Sequence, residues 1–461
     1  MYIQQLYTSC LAQAAYYIEA DGEAAIIDPL RDYQEYMELA SSRNARIKYI
    51  FETHFHADFV SGHIDLASKT EAKIVYGPTT KTSYSVHVAR DGEELKLGNA
   101  KIKILHTPGH TPESSCFLAI DEQGRSTAVF TGDTLFVGDV GRPDLLDGVM
   151  TKEELAGLMY DSLRNKLMTL PDDVLVYPAH GAGSACGKNI GKETFSTIGE
   201  QKQNNYALQP MAKEAFINEV TAGIQPAPKY FFKDASLNKN GYIPIDELIN
   251  SAVKELTVNE FIEATSKQTV IIDTRIPDEF ENGFIPGSLN FGLNGQYAIW
   301  AATLLDISTP VLLVTQPGKE IESVTRLARV GFDNVLGILK GGFDAWRDAG
   351  KRIDMIISID PYEFSLDYKH DDIKVLDVRK PNEFDSGHIE GAQLASLQEL
   401  PEKLNTLSKN DTYYIHCAGG YRSMIASSLL KAKGFQNIKN VYGGYSKIID
   451  TDLPVSKAQN G

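Results

Sequence analysis

The chain is poor in cysteine, with four widely separated residues in 461, and that scarcity excludes a disulfide framework as the source of its stability. Basic charge is also in deficit. Against 61 Asp and Glu there are 45 Lys and Arg, a formal net charge of −16, which disfavours nucleic acid or an anionic membrane as partner. No uncharged apolar run approaches the roughly 20 residues of a membrane span. The opening residues, Met1-Tyr2-Ile3-Gln4-Gln5, lack a basic stretch followed by an apolar core, so no secretory signal is expected and a reducing cytoplasm is the expected compartment. What remains is a chain long enough for three domains, 43% hydrophobic, with room in each for a buried core.

Imidazoles and carboxylates stand where apolar runs end. Ile47-Lys48-Tyr49-Ile50-Phe51 reads as a buried strand and leads into His54-Phe55-His56-Ala57-Asp58-Phe59. Two histidines and an aspartate at alternating positions on a strand-end loop can converge on one metal ion. Three further runs end the same way, in Thr107-Pro108-Gly109-His110, in Thr131-Gly132-Asp133 and in Pro178-Ala179-His180. A lone histidine is ordinarily a structural residue, but four strand-terminal ligand positions in this order are not coincidence. The pattern resembles the H-x-H-x-D-H signature of the metallo-β-lactamase superfamily, in which the final histidine normally holds a second metal. Phe59 occupies that position here and cannot ligate, so one metal is expected rather than two.

Two imidazoles and one carboxylate with three positions left open form the face used by mononuclear non-haem iron that binds dioxygen. His54, His110 and Asp133 can supply it. Residues 131–144 resemble the corresponding stretch of persulfide dioxygenases, a branch of the same superfamily, and the resemblance covers residues 1 to about 235. It implies one Fe(2+) per chain at His54, His110 and Asp133, with His56, Asp58 and His180 orienting ligands and water through hydrogen bonds. A zinc hydrolase of the glyoxalase II type is the alternative for this domain. Arg142 is a candidate for the substrate pocket. So is Cys186, on a glycine-flanked loop six residues after His180; its other reading is a small buried residue, like Cys10 and Cys116.

The second half repeats itself. Ile272-Asp273-Thr274-Arg275-Ile276-Pro277-Asp278-Glu279-Phe280 aligns with Leu376-Asp377-Val378-Arg379-Lys380-Pro381-Asn382-Glu383-Phe384 at an offset of 377 − 273 = 104, too long for a solenoid unit and right for two homologous domains. The phrase D-x-R-x-x-x-E-F followed by G-x-I-x-G resembles the rhodanese fold, a small doubly wound α/β domain. In the second copy an apolar strand runs into Cys417-Ala418-Gly419-Gly420-Tyr421-Arg422-Ser423 and then a helix. A cysteine on such a turn sits in a nest of backbone N–H groups, those of Ala418, Gly419, Gly420, Tyr421 and Ser423, that favours a thiolate and holds an anionic terminal sulfur. Arg422 adds positive charge. It lies five residues after the cysteine, the rhodanese spacing, whereas related phosphatases use one residue more. The first copy has Thr315-Gln316-Pro317-Gly318-Lys319 at that place and no cysteine.

The expected organisation is therefore α/β and multidomain. A metallo-β-lactamase αββα sandwich spans 1–235 and a linker 236–253. Two doubly wound rhodanese-like domains follow, non-catalytic over 254–352 and catalytic over 358–457. The linker imitates a calcium-binding loop at 236–247, but Ser236 stands where the first carboxylate ligand belongs. Over the full chain this architecture resembles the bacterial persulfide dioxygenase–rhodanese fusions of sulfide detoxification. The resemblance implies oxidation of a low-molecular-weight thiol persulfide by dioxygen to sulfite and thiol. It also implies a Cys417 persulfide that exchanges sulfur between sulfite and thiosulfate. A homo-oligomer is the expected assembly. The thiol itself (glutathione, coenzyme A, bacillithiol or cysteine) is left open.

Overall fold

The computed structural model describes residues 1–145, 150–266, 268–371 and 373–457. The chain forms two compact units, Met1–Glu247 with Ala328–Gly331, and Leu248–Leu327 with Phe332–Gly461.

The first unit is built on two six-stranded sheets. Period-two alternation in the second sheet supplies both of its faces. Phe117, Ala119, Ala128 and Phe130 point into the layer between the sheets, where they meet Tyr16, Ile27, Phe51 and Val75. Cys116, Leu118, Val129 and Val176 point the other way, onto Met159 and Leu163 and onto Phe216 and Val220 from the helix Lys213–Thr221. Helices Tyr33–Ser42 and His63–Thr70 cover the outer face of the first sheet, burying Tyr33, Tyr36 and Leu66. This is the expected αββα sandwich. Strands Arg46–Glu52, Ala100–His106, Ser126–Gly132 and Leu175–Pro178 end at one edge of it, and each runs into one of the loops singled out above.

The stretch expected to be a linker is not one. Residues 236–253 belong mostly to two helices, Phe231–Asn240 and Ile245–Ala252. Pro228 and Pro244 precede them, where proline suits the start of a helix. Asn238 is fully buried. Its amide donates to the carbonyls of His56 (2.7 Å) and Phe59 (2.8 Å), and its oxygen accepts from Ser61 N (2.8 Å).

The second unit carries the repeat. Each copy has a five-stranded parallel sheet of the same order, Glu255–Leu256, Val335–Leu339, Val311–Val314, Val270–Asp273 and Leu289–Asn290 in the first. The second orders Ile357–Ile359, Ile438–Val441, Tyr413–His416, Lys374–Asp377 and Gln393–Leu394. The D-x-R phrase is structural in both. Arg275 forks onto Asp273 and donates to Gly283 O (2.9 Å) while lying over the Phe343 ring. Arg379 does the same with Asp377, Gly387 O (2.7 Å) and Tyr445. Among the described residues no helix is long and apolar enough to cross a membrane.

Candidate metal centre and sulfur loop

The strand-end residues of the first unit converge. One ligand atom each from His54, His110 and Asp133 lie within 4.8 Å of one another, all buried, and the same holds for His56, Asp58 and His180. Asp133 joins the two groups. Its Oδ2 is 3.4 Å from His110 Nε2 and 3.9 Å from His54 Nε2, while its Oδ1 is 3.5 Å from His180 Nε2. His180 Nε2 lies in turn 3.4 Å from Asp58 Oδ2.

The tautomers are set from behind. Thr53 Oγ1 donates to Asp28 Oδ2 (2.8 Å) and so accepts from His54 Nδ1 (2.9 Å). His110 Nδ1 donates to Arg142 O (2.8 Å) and His180 Nδ1 to Ala12 O (3.3 Å). With Nδ1 carrying the proton in all three, each Nε2 lone pair faces inward. Those Nε2 atoms, both Asp133 oxygens and Asp58 Oδ1 are buried without a hydrogen-bond partner. So many orphaned acceptors in one place are costly unless a cation satisfies them, and the donor set fits one. Burial first, then the neighbouring imidazoles, push His54 well below its ordinary pKa, which keeps it neutral and able to ligate. Gly141 N donates to Asp133 O (3.0 Å). A Cβ on Gly141 would stand 2.1 Å from that oxygen and 3.0 Å from His110 Nδ1, so only glycine allows the approach.

His56 is turned away from the first group, its Nε2 lying 3.0 Å from Asp28 Oδ1 and 3.5 Å from Glu52 Oε2. Phe59 is fully buried, its ring centroid 4.3 Å from that of His56. Cys186 is buried and groups with Asp133 and His180; burial above all, then Asp58 and Asp133, push its thiol well up. Arg142, the other candidate for the pocket, is tied down on several sides. Its guanidinium forks onto Asp144 (2.7 Å twice) and donates to Gln225 O (2.7 Å) and Ala185 O (3.3 Å), its backbone N–H donates to Cys186 O (2.8 Å), and its carbonyl accepts from His110.

Three residues that support this centre are absent from the sequence reading. Asp28 and Glu52 stand at strand ends, the signal that found the histidines, yet neither lies in a motif. Asp234 on the helix Phe231–Asn240 is fully buried with neither oxygen hydrogen-bonded, and burial, then Asp58, hold its carboxyl well above the usual range.

In the second unit, Cys417 Sγ accepts from Gly420 N (3.1 Å) and lies 3.7 Å from Ser423 Oγ. Tyr445 N binds Cys417 O (2.7 Å) and Ser446 N binds Ala418 O (3.0 Å), which fixes the loop carbonyls on its far side. Arg422 is no lone positive charge, because Glu383 takes both its terminal nitrogens at 2.7 Å. The first copy keeps this fork without the cation: Gln316 Nε2 donates to both oxygens of Glu279 (2.9 and 2.8 Å). Thr315 is buried at the nucleophile's position.

Residues 8–180 match the metallo-beta-lactamase superfamily, and residues 257–349 and 360–451 each match the rhodanese-like domain. A solved metallo-beta-lactamase from Staphylococcus aureus subsp. aureus COL is 30% identical, with 74% of this chain and 98% of that chain covered and a TM-score of 0.65. The chain belongs to the metallo-beta-lactamase superfamily. Two rhodanese-like domains follow its metallo-beta-lactamase domain, and membership in this superfamily implies a divalent metal. ETHE1 from Myxococcus xanthus is 29% identical, covering 52% of this chain and 98% of that chain at TM-score 0.45. A probable hydroxyacylglutathione hydrolase of Schizosaccharomyces pombe is 34% identical over 166 residues, 35% of this chain. The chain spans about 60% of the length of the curated relatives it matches.

Proposed function

We propose that this metallo-beta-lactamase-fold protein is a mononuclear non-haem iron persulfide dioxygenase joined to a sulfurtransferase. The observation that carries the reading is the buried His54, His110 and Asp133 face, with Phe59 where a further ligand would stand and a sulfur-carrier loop in the same chain. Iron(II) held by that face supplies open positions at which dioxygen and a thiol persulfide can meet. The chain's own residues do the rest. Thr53 and Arg142 hold the His54 and His110 imidazoles in the ligating tautomer, and Ala12 orients His180 beside them. Asn238 fixes the loop between His56 and Ser61. Cys186 lines the persulfide pocket.

The balanced reaction is RSSH + O2 + H2O giving RSH and sulfurous acid. Cys417 thiolate then exchanges a sulfane sulfur, attacking the outer sulfur of thiosulfate to release sulfite, or the reverse. The N–H groups of Ala418, Gly419, Gly420, Tyr421 and Ser423 stabilise the terminal sulfur's charge. Glu383 keeps Arg422 at the loop. Joining the two activities raises the effective concentration of the shared intermediate. A homo-oligomer in a reducing cytoplasm, acting in sulfide detoxification, completes this reading.

A zinc thioesterase fused to a sulfurtransferase is the second reading, favoured by the names of the curated relatives. Metal analysis of anaerobically purified protein, with oxygen uptake against glutathione, coenzyme A, bacillithiol and cysteine persulfides, separates the two. Oxygen uptake with iron bound supports the first. Zinc with thioester hydrolysis and no oxygen uptake replaces it.

A further inference from the structure

The cysteine-less rhodanese copy reaches into the sulfur site of its twin. The helix Tyr421–Ala432, which begins on the sulfur loop, is buried at every position from 423 to 430. One side lies on its own sheet, at Tyr413–His416 and Ile438–Val441, and another on the first copy's strand Leu289–Asn290. Asn290 N donates to Ser428 Oγ (3.0 Å), and Lys431 pairs with Asp354 (2.9 Å) at the far end.

At the loop the contact becomes specific. Tyr421 Oη donates to Gly292 O at 2.7 Å. Its ring fills the space above Gly295, where a Cβ would stand 2.5 Å from two ring carbons. The receiving loop is itself braced, because Arg326 donates to Leu293 O (2.6 Å) and Gly295 O (2.8 Å). Tyr421 stands between Gly420, whose N–H meets Cys417 Sγ, and Arg422, which Glu383 holds. A turn of the backbone at 421 therefore displaces the Gly420 N–H that meets the sulfur and shifts Arg422 together with it. An interface that served only to bury apolar area would have no need to match a phenol hydroxyl to one carbonyl, or to keep a position free of Cβ beneath the ring.

We propose that the first copy sets the Cys417 loop through this latch, with Gly292 and Gly295 as socket and Tyr421 as a positioning residue for sulfur transfer. The proposal rests on the reading of Cys417 as the sulfur carrier. The experiment uses the full chain and four variants, Tyr421→Phe, Gly295→Ala, the two combined, and Asp354→Asn. It measures thiosulfate:cyanide sulfurtransfer as KM and kcat separately, and the pH profile of Cys417 alkylation by iodoacetamide, read on the Cys417 peptide.

Tyr421→Phe should lower kcat/KM about threefold and Gly295→Ala about tenfold, the size expected for one lost or displaced hydrogen bond. Both should move the alkylation profile to higher pH as the Gly420 N–H leaves the sulfur. The double variant should be no worse than Gly295→Ala alone. Asp354→Asn loosens the far end of the helix and should move neither profile. Native behaviour of both Tyr421→Phe and Gly295→Ala, or an equal change in Asp354→Asn, overturns the latch. Should Gly295→Ala not fold, Tyr421→Phe decides. If the native protein transfers no sulfur, the assigned role of Cys417 fails, while the alkylation profiles still judge the latch.

Discussion

Replacing Thr53 by valine tests whether the metal centre depends on groups that never touch the metal. The side chain is nearly isosteric and buried, so packing is kept while two hydrogen bonds vanish, to Asp28 Oδ2 and from His54 Nδ1. Two consequences follow. Asp28 keeps the Thr53 backbone N–H (2.8 Å) on its other oxygen, but Oδ2 is left one donor short at a cost of about 1–3 kcal/mol of stability. His54 loses the acceptor that fixes its proton on Nδ1, and partners of this kind are worth about 10–100-fold in metal affinity. The assay is competition for iron(II) against a chelator under argon, with unfolding of the metal-free protein recorded alongside. Thr53→Ser, which keeps the hydroxyl, should recover most of both losses. The reasoning is wrong if folded Thr53→Val holds iron to within about twofold of the native protein, well below the range such partners command.

Purified without oxygen, the chain should carry one iron, and His110→Ala or Asp133→Ala should lose iron and oxygen uptake together. Two tightly held metals would instead show that Asp58, His180 and the second Asp133 oxygen form a site of their own. Cys417→Ser should keep persulfide-dependent oxygen uptake, shift its product from thiosulfate to sulfite, and abolish thiosulfate:cyanide transfer; residual transfer would mean a second sulfur carrier. Burial pushes the Glu383 carboxyl up, but the Arg422 fork, the Lys380 N–H and the Arg379 charge together outweigh it and leave the group below the ordinary range. Its contribution to stability is thus complete above the unfolded pKa of about 4.3 and lost as pH falls further, so Glu383→Gln should flatten the acid limb of stability against pH in that window.

What the sequence made legible is what depends on neighbours along the chain. His54, His110, Asp133 and His180 were readable because a strand's apolar run announces its own end. The two sulfur-type domains were readable because Asp273 and Asp377 head the same phrase. The rest is set by pairings between distant residues. Arg142 looks available until Gln225, 83 residues on, takes its guanidinium. Asn238 looks like linker until its amide meets His56 and Phe59. Glu52 is a polar end to a strand until His56 turns toward it.

The buried run from 423 to 430 has a consequence for how this protein breathes. Amides in a helix walled on every side exchange with solvent only when a large part of the fold opens. Nothing stands within 4 Å of a Cβ at Gly419 on the loop before it. Deuterium should therefore enter the loop within the first exposures and the helix last of all. The steepest protection gradient in the second unit would then fall between Gly419 and Met424, so that the thiol meets its substrates on a yielding lip backed by the slowest-opening part of the fold.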